Sequence, residues 1–88
     1  MAVKNWIFSV HGLDFDNNLE VIQKVFARYA EYFHPSFDLH KQITTWGRGH
    51  SPFLFEFFSD NKKADEFTAI LEKIGPEVKV SMFNSRSY

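Results

Sequence analysis

The sequence predicts an α+β domain built from a four-stranded antiparallel sheet with two helices on one face. Three observations carry that prediction. Apolar residues alternate at period two in four separate stretches, they recur at three- and four-residue spacing in two others, and Gly or Pro stands at all but one of the boundaries.

The elements follow in chain order. From Lys4 to Leu13, Trp6, Phe8 and Val10 share one face while Asn5, Ile7, Ser9 and His11 share the other, and Gly12 ends the strand. Asn17 with Glu20 three residues later resembles a capping box. Leu19, Ile22, Phe26, Tyr29, Ala30 and Phe33 then mark an amphipathic helix that Pro35 stops. Phe37 to Trp46 reads as a second strand, with Leu39 and Ile43 on one face and His40, Gln42, Thr44 and Trp46 on the other. Lys41 interrupts it and suggests an edge position. Gly47 and Gly49 mark the following loop.

Pro52 to Phe58 is the most apolar strand, with Phe53, Phe55 and Phe57 facing one way and Leu54, Glu56 and Phe58 the other. Ser59-Asp60-Asn61 opens a second helix with the stripe Ala64, Phe67, Leu71 and Ile74, ended by Gly75-Pro76. Val78, Val80 and Met82 form a last strand, with Lys79, Ser81 and Phe83 opposite. The order β-α-β-β-α-β gives two interleaved βαβ halves, a ferredoxin-like sandwich of strand order 4-1-3-2. The expected core is Trp6, Phe8, Val10, Phe53, Phe55 and Phe57. The uncovered face carries Ser9, His11, His40, Gln42, Thr44, Glu56, Lys79 and Ser81.

Composition narrows the function. Eighty-eight residues allow one domain, 1-88, whose small core must be dense in large side chains, and 11 Phe, 2 Trp and 3 Tyr supply them. With no cysteine, disulfides, thiolate metal sites and thiol catalysis are excluded, and a reducing, cytoplasmic compartment is favoured. The N-terminal stretch lacks a signal-peptide apolar run, and no stretch has the length of a membrane span. The formal charge of −1 requires any nucleic-acid surface to gather its basic groups in one place. His11, His34, His40 and His50 lack metal-ligand spacing, and no nucleotide-binding Gly loop or nucleophile elbow is present. No cofactor and no catalysis are expected.

Two families resemble this chain at residue level. Ile7-Phe8-Ser9-Val10-His11-Gly12-Leu13 and Arg48-Gly49 followed by Pro52-Phe53-Leu54-Phe55-Glu56-Phe57 resemble the two strand signatures of the RNA-recognition motif. That family implies binding of single-stranded RNA on the sheet, with aromatic side chains stacking bases. The parity here turns Phe53, Phe55 and Phe57 inward and leaves Leu54 and Glu56 on the open face. The expected contacts therefore move to the Trp46-Gly47-Arg48-Gly49-His50 loop and to the rim. Arg48 suits phosphate, and Trp46 or His50 suits base stacking; the same loop also suits a plain hairpin. Lys41, Lys79 and Arg86, with His11 and His40 on the open face, complete the candidate RNA-binding set, and the edge lysines equally suit simple solubilisation. Val10-His11-Gly12-Leu13-Asp14-Phe15 is similar to the phosphate loop of acylphosphatases, but Asp16 stands where that loop needs arginine, which argues against the activity.

The small, cysteine-free, Phe-rich layout also resembles accessory proteins of T-even phages that bind RNA and inhibit a host RNA-cleaving toxin (the TifA type). That resemblance implies RNA and a toxin ribonuclease as partners, without catalysis. The alternative is a protein-binding accessory factor, or a homodimer, acting through an edge strand or through Ile7, Leu54, Phe58 and Phe83.

Overall fold

A computed structural model describes residues 3–46 and 53–84. It contains β1 (Lys4–His11), α1 (Phe15–Arg28), a 3₁₀ turn (Ala30–Tyr32), α2 (Leu39–Trp46), β2 (Phe53–Ser59), α3 (Asn61–Glu72) and β3 (Lys79–Asn84).

The expected four-stranded sheet of order 4-1-3-2 does not form. The sheet has three strands in the order β2-β1-β3, with β1 antiparallel to both neighbours, and there are three helices rather than two among the described residues. The stretch read as the second strand is α2. Its residues satisfy both periods, because Leu39, Ile43 and Trp46 also fall at helical spacing. Local hydrogen bonding favours the helix: the Asp38 carboxylate accepts from the backbone N–H groups of His40 (3.0 Å) and Lys41 (3.3 Å), as an N-cap does.

Between α1 and α2 the backbone pairs with the sheet in an isolated antiparallel bridge between Phe33 and Phe57. It then turns away. Pro35 has no N–H to give a ladder, and Phe37 N–H donates to the His34 carbonyl at 2.8 Å, closing a turn. The place of a fourth strand is thus held by one bridge, a turn and a short helix.

The first helix starts earlier than Asn17. Asp14 is its N-cap, accepting from Asn17 N–H at 3.1 Å and from the Asn17 side chain at 2.6 Å. Leu19, placed by its spacing in the buried stripe, is exposed because the backbone leaves helical geometry at Asn18 and re-phases the first turn. Ile22 and Phe26 bury as their spacing predicts, and Phe15, outside the expected stripe, buries with them. The second long helix, α3, is capped by Asp60, whose carboxylate accepts from Lys63 N–H at 2.9 Å, and it buries Ala64, Phe67 and Leu71.

The core lies between α1, α3 and one sheet face. Phe8, at the centre of β1, stacks on Phe55 at 5.0 Å and meets Phe57 and Phe67 edge-on. Phe67 also stacks on Phe57 at 4.7 Å and meets Phe26 and Phe33 edge-on. Full burial of each such ring stabilises the fold by about 1.5–3 kcal/mol, with roughly 0.5–1.5 more per well-oriented aromatic pair. That density lets so short a chain hold a fold.

Candidate functional site

Because side chains alternate along a strand, burying Phe8, Val10, Phe53, Phe55 and Phe57 turns their neighbours to the opposite face. The register sorts that face into rows. Asn5 stands opposite Phe58; Ile7 lies between Glu56 and Phe83; Ser9 lies between Leu54 and Ser81; His11 stands opposite Lys79. Leu54 is 44% exposed and Phe83 56% exposed, so the half-buried Ile7 has an exposed apolar residue opposite it in β3 and another one row along in β2.

The polar groups form two sets, one at an end of the face and one nearer its middle. His11 and Lys79 are both exposed and share the end where Phe53, opposite Val10, takes up the chain after α2. Glu56 sits toward the middle, and Asn5 Nδ2 donates to its Oε2 at 2.9 Å. The same amide leaves Asn5 Oδ1 buried without a hydrogen-bond partner. Turning the amide over would set two oxygens against each other, so the bond to Glu56 fixes its orientation.

Beside β2, where a fourth strand would have lain, is a cleft of about 350 Å³. Ile7, Leu54 and Glu56 line it from the sheet, and His34, Ser36 and Gln42 line it from the turn and from α2. His34 Nδ1 accepts from Ser36 N–H at 3.0 Å, with Ser36 Oγ also at 2.6 Å, and the imidazole lies against the Phe58 ring. An Nδ1 committed as acceptor puts the proton of the neutral ring on Nε2.

A second polar group joins the helices on the far side of the molecule. Tyr29 donates its hydroxyl proton to Glu66 Oε2 at 2.7 Å, and Lys63 Nζ lies 3.0 Å from the same oxygen and close to the Tyr29 and Tyr32 rings. Burial and then the Glu66 hydrogen bond raise the Tyr29 phenol above its ordinary value. The Tyr29 bond, followed by Lys63, lowers Glu66 below the usual carboxylate range. The bond to Glu66 also raises Lys63. Lys62 beside it is exposed, whereas Lys63 is bound into this link.

Of the expected RNA-binding residues, only His11 and Lys79 are shown together. His40 and Lys41 stand on the first turn of α2 rather than on an open sheet face, because that segment is helical. Trp46 ends α2 instead of a strand. Arg48, His50 and Arg86 lie outside the described residues. The cleft wall of His34 and Ser36 was not legible in the sequence, where Pro35 reads only as a helix stop. Its local signal is the spacing His34-Pro35-Ser36, which lets a serine N–H reach back to the preceding imidazole.

Among the described residues no three His, Asp or Glu gather as a metal ligand set, and no helix is long and apolar enough to cross a membrane. No protein-family model matches this chain, and neither the curated proteins nor the solved structures give a match.

Proposed function

We propose that this chain is a non-catalytic RNA-binding module that takes single-stranded RNA across its open sheet face. The observation that carries the reading is the pairing of His11 with Lys79 on that face. They stand together at the end of the sheet where Phe53 opens β2, which gives a chain of formal charge −1 two neighbouring basic side chains on one exposed face. A cytoplasmic location belongs to the same reading, since RNA and toxin ribonucleases are met there.

The test is titration with labelled single-stranded RNA at two salt concentrations. Binding should weaken as salt rises, because each phosphate contact releases counterions. Lys79→Ala should weaken binding to all sequences about equally and lower the salt slope by about 1. Binding that ignores salt would overturn the reading.

A second reading, a protein partner such as a toxin ribonuclease, is favoured by the exposed Leu54 and Phe83 beside Ile7. An RNA-binding inhibitor would use both parts of the face.

A further inference from the structure

Glu56 is the group that fits an RNA surface least, since a carboxylate repels phosphate. Its carboxylate is held by Asn5, whose Nδ2 binds Oε2, and Glu56 lines the cleft beside β2. We propose that this cleft is a base-reading pocket and that the base it selects is guanine, an inference that rests on the RNA-binding reading above.

The chemistry matches on two sides. Guanine alone among the four bases presents two adjacent donors on its Watson–Crick edge, N1–H and the N2 amino group, which a carboxylate accepts together. Adenine and cytosine offer one amino group there, and uracil one imino proton. On the other wall, His34 carries its ring proton on Nε2 because Nδ1 is occupied by Ser36, and Gln42 adds a primary amide. These donors suit the guanine acceptors O6 and N7. Ile7 and Leu54 supply apolar surface for the ring, and 350 Å³ is at the small end of ligand pockets, suitable for one base rather than a nucleotide chain.

The same lining argues against an arginine side chain from a protein partner. A guanidinium has donors only and would leave the imidazole N–H and the Gln42 amide protons unmatched. On this reading the His11–Lys79 end holds the backbone and the cleft fixes sequence, the division of labour usual in nucleic-acid recognition.

The experiment compares two labelled RNAs of equal length, one of uridine only and one with a single central guanosine. The wild-type protein should bind the guanosine RNA roughly ten-fold more tightly, toward the lower end of what one bidentate base contact gives. Glu56→Gln keeps an acceptor for Asn5 but cannot accept two donors, so it should bring the two RNAs to equal affinity, whatever removal of the charge does to both together. Replacing the guanosine by inosine, which lacks the N2 amino group, should remove most of the preference in the wild type. If both RNAs bind with salt dependence but equally, the base pocket is wrong and the RNA module stands. If neither binds, both readings fall. If instead an arginine-containing peptide binds and Glu56→Gln abolishes it, the pocket serves a protein.

Discussion

At the residue scale, two positions do more than their side chains suggest. Gly12 has a φ of +75°, in the left-handed region, and a Cβ there would come within 2.3 Å of the Glu77 carbonyl oxygen. The β1–α1 turn and the entry to β3 press together at this point, and only glycine lets them. Gly12→Ala should destabilise the protein by about 1–3 kcal/mol from the backbone conformation alone, before the contact with Glu77 is counted. A urea melt should show this as a lower midpoint with little change in slope. Asn5 is the other position. Its single bond to Glu56 settles which way a carboxylate faces, although in the sequence it is one polar residue among several alternating ones.

At the element scale, the link between α1 and α3 is tied to pH. Glu66 is held below its ordinary range in the folded chain, first by the Tyr29 hydroxyl and then by Lys63. Its contribution is therefore present above the ordinary carboxylate range and is lost as pH falls through the lowered folded value. Tyr29 is raised, so the folded state favours the protonated phenol, and that contribution is lost as pH climbs past the ordinary tyrosine value. Tyr29→Phe should flatten the alkaline loss and weaken the acid one, read as urea midpoints across pH.

The elements also show what could be read in advance. Both long helices and the strands at Lys4–His11 and Phe53–Ser59 were legible because their apolar spacing fits one period, but the bounds of the first helix were not: its cap is Asp14 rather than Asn17, and it ends at Arg28, before the Phe33 that the stripe included. The stretch from Phe37 to Trp46 was not legible. Its apolar residues fit two periods, and the choice fell to Asp38 and to a turn at Pro35, each a matter of one or two hydrogen bonds. The candidate site suffered accordingly: His11 and Lys79 were legible from strand parity, while the His34 wall depends on where the diverted chain comes to rest.

At the scale of the whole molecule, the aromatic core is one connected body, and Phe67 is its junction between sheet and helices. Phe67→Ala should cost about 3–5 kcal/mol, a large share of the total stability usual for a small domain, and chemical denaturation should place it near the limit of folding. The arrangement of the sheet bears on how the chain comes to be folded at all. Its first strand is the central one, and both partners come from the second half: Val10 meets Phe53 and Phe8 meets Met82. No hairpin joins paired strands: α1 and α2 lie between β1 and β2, and β2 and β3, joined through α3, are not neighbours. A ribosome making this protein must release Ser59 before the first ladder can close and Asn84 before the second is complete. Until then Trp6 and Phe8 wait unpaired on the nascent chain. Folding should therefore be slow for the chain's length, limited by closure of long loops, and the emerging N-terminal half should be a ready client for chaperones that hold apolar segments.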